Sequence, residues 1–334
     1  MQTGQWGDFV KGVKAKVNEI IDETKDLAPS WMGLPIYKKV QTDSLIYRTE
    51  GVTGFGYVEE FDENDSIKYD RTYPAYKTEY VIGQKGKGVS VSQLLMATRP
   101  AELEAKLDEV RQLRYAMDRT LEKNFWTVLN DGTSTSDTSS NFPTYRLDDA
   151  VSLFSASHPS KVGGVAVRSN VISGTGSGAY SGINPTLNET SLNEAVLQLQ
   201  LMLNGRGLPI NYSGNVVLIV PATLRKLAME ITKSELRSDT ANNDTNYYKG
   251  GFVDVISTTY LDATNGGLAT QWFVAAAPGM ADNAVAMRYV SLIDPKIEQD
   301  DDFDTKSIKI SVDGACAFGY SNFEYIVGST GLEA

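Results

Sequence analysis

At 334 residues the chain can bury a sizeable core, as one large domain or two smaller ones. Its single cysteine, Cys316, and single histidine, His158, exclude a disulfide framework, a multi-cysteine metal site and any two-histidine zinc or iron centre. A formal charge of −11 works against attraction of the whole surface to nucleic-acid phosphates, and no apolar run nears the ~20 residues of a membrane-crossing helix.

Residues 5 to 27 read as an amphipathic helix, with Trp6, Phe9, Val10, Val13, Val17, Ile20 and Ile21 at helical spacing. Its start carries no secretory signal, so folding in a cytoplasm is expected, and Met1 points to no large leader having been removed. A terminal helix of this kind needs a surface to lie on. That surface is either its own domain or a neighbouring subunit. Residues 45 to 60 and 66 to 83 read as a long β-hairpin turning at Asp62-Glu63-Asn64-Asp65-Ser66. Such a hairpin is marginal alone, so it is expected to project and be held by something else. Gly83-Gln84-Lys85-Gly86-Lys87-Gly88 then reads as a flexible hinge. Residues 100 to 129 give the strongest helical pattern. Pro100 and Glu102 suit the first turn, and Leu103, Leu107, Val110, Met117, Leu121, Phe125 and Val128 form one face.

Asp131 to Ser140 and Ser173 to Gly182 read as surface loops within a Ser/Thr/Gly-rich stretch. From residue 186 the pattern becomes α/β. A helix over Ser191 to Leu203 precedes the apolar run Val216-Val217-Leu218-Ile219-Val220, the mark of a buried strand. Pro221 opens a helix to about Leu236, and Phe252 to Ser257, Gln271 to Ala276 and Ala284 to Ser291 read as further strands. Asp300 to Asp304 is an acidic turn, and Ser307 to Val312 and Cys316 to Ile326 close the chain as strands.

The search for chemistry returns little. Gly83 and Gly88 have phosphate-loop separation, but Val89 stands where the lysine must be. Gly174-Thr175-Gly176-Ser177-Gly178 lacks the strand–turn–helix context of a dinucleotide site, with Asn184-Pro185 close behind. Asp62 and Asn64 open like a calcium loop, but Ile67 occupies the obligatory glycine position. The aspartates of 300–304 more often make a solvated turn than a cation site. His158, in Phe154-Ser155-Ala156-Ser157-His158-Pro159, has no nucleophile elbow beside it and reads as an orderer of its loop. Cys316 reads as a small buried apolar residue. Lys68, Arg71, Lys77, Lys85 and Lys87 form the main positive concentration, either a solvated surface or a contact for acidic turns of other subunits. No catalytic, cofactor-binding or metal-binding residue is assigned.

The order of parts resembles the HK97-like major capsid fold of phage heads, an α+β architecture with N-terminal arm, extended β-hairpin (the E-loop), long spine helix, peripheral domain and axial domain. Leu153-Phe154-Ser155-Ala156-Ser157-His158-Pro159 is similar to a segment of Mu-type major head subunits. So is Val217-Leu218-Ile219-Val220-Pro221 running into Ala222-Thr223-Leu224-Arg225-Lys226-Leu227-Ala228. Asn265 to Pro278 and Val312-Asp313-Gly314 to Tyr325 also match. The resemblance implies an arm over 1–44, the E-loop and hinge over 45–90, and a peripheral domain over 91–190 with its spine at 100–129. It further implies an axial domain over 191–298 and closing strands over 299–334 that return to the peripheral domain. It implies a non-enzyme without cofactors that self-assembles into pentamers and hexamers of an icosahedral shell around double-stranded DNA. Scaffold, portal and decoration proteins would be partners, DNA would be touched without sequence readout, and no membrane would be involved. Assembly would occur in the host cytoplasm and the product would be the virion. The covalent Lys–Asn bond of some relatives is not expected, because no motif carries it here. An encapsulin-like compartment, another phage structural protein and a hydrolase using His158 are the alternatives.

Overall fold

A computed structural model describes residues 3–25, 30–53, 55–63, 65–67, 69–92, 95, 100–132, 145–147, 151–172, 184–235, 245–277, 287–302 and 304–332. The loops expected at 133–140 and 173–182, with the glycine cluster at 174–178, lie outside the described residues.

The long helix α2 (Pro100–Asn130) follows α1 (Thr3–Lys25) in the chain. Its apolar stripe lies on a four-stranded sheet of order β1-β9-β10-β4, built from Tyr37–Gln41, Met287–Asp302, Ser307–Tyr320 and Gly83–Ser92. β1 runs parallel to β9, whereas β9–β10 and β10–β4 are antiparallel. Leu107, Val110, Met117, Leu121 and Phe125 of the helix share one apolar cluster with Ile308, Ile310, Val312 and Phe318 of β10. Fully buried Trp31 centres it, with its ring 5.0 Å from those of Tyr37 and Phe125, 5.2 Å from Tyr289 and 5.3 Å from Phe318. Aromatic contacts at such separations add ~0.5–1.5 kcal/mol per pair beyond area burial.

The second sheet has order β11-β8-β6-β7, from Ile326–Ser329, Trp272–Ala276, Val216–Pro221 and Val253–Thr258. Side chains alternate across a strand. Accordingly Val216, Leu218 and Val220 join Leu192, Ala195, Val196 and Leu199 of α3 (Glu189–Gln200). Val217 and Ile219 join the cluster of α2 instead. That is why β6 is apolar throughout. The helix expected from Pro221 forms as a 3-10 turn, Ala222–Leu224, followed by α4 (Arg225–Lys233). The third sheet is β2 (Ile46–Val52), β3 (Pro74–Val81) and β5 (Tyr145–Leu147).

Four sequence expectations need correction. The hairpin strands are shorter than expected, because 53–73 between β2 and β3 contains no strand among its described residues. The expected hinge at Gly83–Gly88 is instead the start of β4, paired from Gly83↔Cys316 to Ser92↔Ser307. Glycine suits this edge, since a Cβ on Gly86 would stand 3.2 Å from the Val312 carbonyl oxygen. The closing strands expected at 307–312 and 316–326 are one strand, β10, with a bulge around Gly314, before β11. Gly314 lets the sheet approach α2, for a Cβ there would meet Met117 Cε at 3.0 Å and Pro295 Cα at 3.2 Å. Finally, the strand expected over Ala284 to Ser291 runs on as β9 to Asp302 in the first sheet, so the acidic stretch expected as a turn begins within a strand. Apolar spacing cannot say which sheet a buried strand joins; pairing decides it.

Candidate assembly surface

The hairpin root is well anchored. On β3, Thr78 and Tyr80 point inward, and Tyr80 packs with Ile82, Val290, Ala315 and Ala317. Burial pushes its phenol well above the usual tyrosine range. Directly opposed residues pair by charge across the strands, Arg48 Nε donating to Glu79 Oε2 at 3.0 Å and Lys77 standing 3.6 Å from Glu50. Lys161 Nζ donates to the Ala75 carbonyl at 3.2 Å and lies 4.6 Å from the Tyr76 ring centre.

Beyond the root, two cross-ties hold the limbs together. Thr53 N donates to Tyr73 O at 2.9 Å, and Gly56 N donates to Asp70 Oδ2 at 2.9 Å. Past them the chain forms a crest. Phe55, Tyr57, Val58, Phe61, Ile67 and Tyr69 are all exposed, Val58 at 99% and Tyr69 at 94%. Between these stand Glu59, Glu60, Asp62, Glu63 and Asp65, and residues 53–67 contain no lysine or arginine. Single exposed apolar side chains need no explanation, but six of them within residues 55–69 mark a segment suited to being covered. Sequence reasoning singled out the basic residues here and missed the crest. Its signal was the run of large apolar residues that neither alternates nor keeps helical spacing. Lys77 pairs with Glu50, Lys85 and Lys87 lie in β4, and Lys68 lies outside the described residues.

The N-terminal helix packs on its own chain. Val13, Val17 and Ile20 are buried in the cluster of α2. Lys16 Nζ donates to Glu104 Oε1 at 2.7 Å, Arg111 Nη2 to Glu23 Oε2 at 3.3 Å, and Gln299 Nε2 to Asn18 Oδ1 at 2.7 Å. The acidic turn has ordinary work: Asp301 pairs with Lys14 and Asp302 with Lys309.

His158 is fully buried, its ring stacked on Phe323 at 3.6 Å between centres. Nε2 stands 3.2 Å from both the Leu153 carbonyl oxygen and Asn170 Oδ1. Its backbone exchanges two hydrogen bonds with Arg168, whose guanidinium pairs with Glu324. This is the loop-ordering role expected from the sequence. Cys316 is buried in β10, and burial pushes its thiol up. Among the described residues no group of three or more His, Cys, Asp or Glu side chains could hold a metal ion.

Residues 75–327 match the family model described as phage capsid protein. No curated protein matches the sequence. Among solved structures the chain is similar to the capsid of cyanophage P-SCSP1u, at 11% identity over 90% of this chain and 87% of that one, with a TM-score of 0.51. The mature capsid of bacteriophage PhiM1 also matches at 11% identity, over 90% of this chain and 86% of that one, again with a TM-score of 0.51. The capsid of Ralstonia phage GP4 matches at 10% identity, over 88% of this chain and 86% of that one, with a TM-score of 0.50. At such identities the likeness is one of fold.

Proposed function

This chain belongs to the phage capsid protein family, and we propose that its copies meet head to tail and close into pentamers and hexamers of an icosahedral head. It is a major capsid protein of HK97-like fold, a structural component of the virion that self-assembles into the shell, and not an enzyme. In the finer reading the shell encloses double-stranded DNA, and a scaffold, a portal and decoration proteins take part, with assembly in the host cytoplasm. The part around residues 191–298 faces the ring centre, and the chain resembles the Mu-type head subunits. The net charge of −11 suits DNA that is enclosed and touched without sequence readout.

The observation that carries the head-to-tail reading is the crest at 53–73, whose apolar side chains are uncovered within one copy. A neighbouring copy is the cover that a self-assembling protein always has at hand. Full burial of one such side chain is worth ~1.5–3 kcal/mol. Fixing one loop residue costs ~1–2 kcal/mol. The two are close enough that a floppy crest would gain little by docking, so how firmly it is held beforehand matters.

The test spares the root, because Thr78 and Tyr80 belong to the core. Residues 57–69 are replaced by a Gly/Ser segment of equal length. The expected result is a folded subunit that forms no closed shells under negative-stain microscopy. Normal shells from this variant would remove the crest from the assembly contact. Purified wild-type particles that enclose an enzyme in place of DNA would favour the compartment alternative.

A further inference from the structure

Resting on the reading that the crest docks on a neighbouring copy, we infer that Arg206 is a positioning residue for assembly, a clamp that sets the crest's angle before the neighbour arrives. Arg206 sits on the turn Leu203–Pro209, whose ends pair with each other. The turn is stiff. Asn204 Oδ1 accepts from Arg206 N at 2.9 Å and Leu208 N at 3.0 Å, and Gly207 takes the left-handed φ of +79° that the bend requires. It is also fastened to the body. Arg168 Nη1 donates to Leu203 O at 3.2 Å, and Ser160 Oγ donates to Gly205 O.

From that base the Arg206 guanidinium grips the crest where its limbs join. Both terminal nitrogens donate to the Asp70 carboxylate, Nη2 to Oδ1 at 2.8 Å, and Nη2 also donates to Arg71 O at 3.1 Å. The planar fork matches a carboxylate in a way that a lysine ammonium cannot. Asp70 meanwhile accepts from Gly56 N, so one side chain on the body holds both limbs. The Arg206 hydrogen bond, followed by that from Gly56, keeps the Asp70 carboxyl well below the usual carboxylate range. The Arg206 side chain is only 12% exposed, against 43% for its partner. Beside the clamp a cleft of about 340 Å³ opens between the hairpin root and the body, lined by Thr53, Tyr76, Lys161, Gly205 and Tyr325 among others. The hairpin there is not packed solid against the body, which leaves the angle of the crest to the clamp. The clamp buries no core side chain, so its removal leaves the fold and changes where the crest points.

The experiment places spin labels on the full-length chain at Ser66→Cys and Thr264→Cys, both exposed; native Cys316 is buried and stays unlabelled. Label-to-label distances are read in soluble subunits, and shells are sized by electron microscopy. Arg206→Ala and, on the loop side, Asp70→Asn are each expected to keep the melting midpoint, broaden the distance distribution and lose the single-diameter shell population. An unchanged distribution in both variants overturns the inference. So does wild-type shell yield and diameter alongside a broadened distribution. The docking reading fails separately. Tyr57→Ser with Phe61→Ser leaves the clamp intact, and its normal assembly would sink the docking while saying nothing against the clamp's hold on the loop.

Discussion

His158, as the lone imidazole, is the residue on which any hydrolytic alternative depends. Its ring lies flat on Phe323 with Nε2 against Leu153 O and Asn170 Oδ1, at the crossing of the 152–158 and 168–172 segments. His158→Ala leaves a cavity against Phe323 and removes one contact of Asn170 Oδ1, which still accepts from Ser155 N, so a loss of ~2–4 kcal/mol in denaturant unfolding is expected, chiefly from the cavity. A variant as stable as the parent would contradict the role in loop ordering. Lys85 makes a second residue-scale claim. Burial pulls its amine down to about 8, from the ordinary 10.5. The native state sheds this proton before the unfolded chain does, so stability rises with pH between about 8 and 10.5. That contribution is complete above 10.5 and disappears as pH falls through about 8. Tyr80 and Tyr289 oppose it above pH 10, because burial raises their phenols. The buried Cys316 thiol opposes it from about pH 9, so the lysine's share is read as the difference between parent and Lys85→Met across pH 8 to 9.5. Lys85→Met is expected to flatten the rise there, measured as unfolding free energy against pH; an equal slope in the variant would show that the amine is solvated.

At the scale of elements, α1 and α2 were nearly legible end to end, because their apolar residues recur at helical spacing over many turns. The partner of α1 was not legible, since Val13, Val17 and Ile20 would pack equally well on a neighbour. In the structure the partner is α2 of the same chain. The helix is held by a narrow apolar seam and a few exposed polar pairs, and such an attachment opens before the core does. Val17→Ala is expected to cost ~1–3 kcal/mol and to speed amide exchange across 3–25 while leaving α2 protected. Equal acceleration in both helices would mean that α1 belongs to the same folding unit as the core. β4 shows the opposite failure. Its Gly/Lys composition carries no strand preference, and it is a strand because β10 offers an open edge and close approach favours glycine.

Across the whole molecule, the sequence made the buried strand β6 plain and left the division of the strands among three sheets dark. β9 and β10 mix apolar with polar residues and β11 is a short buried strand, and only long-range pairing sends the first two to the sheet under α2 and the last to β8. The same limit hid the clamp, for Asp70 and Arg206 are 136 residues apart and neither looks unusual in its own segment. What the sequence did expose was a poverty of catalytic motifs and a resemblance to head proteins, and the family match over residues 75–327 agrees with the resemblance. The net charge of −11 favours keeping single copies apart, while the exposed apolar side chains of the crest favour its being covered. The most direct test is a reconstruction of the assembled particle from the purified chain by electron microscopy. The account predicts rings of five and six copies with Val58, Phe61 and Tyr69 of each copy covered by the next. Shells in which that crest stays bare to solvent, or a chain that remains single-copy at every concentration, would contradict it.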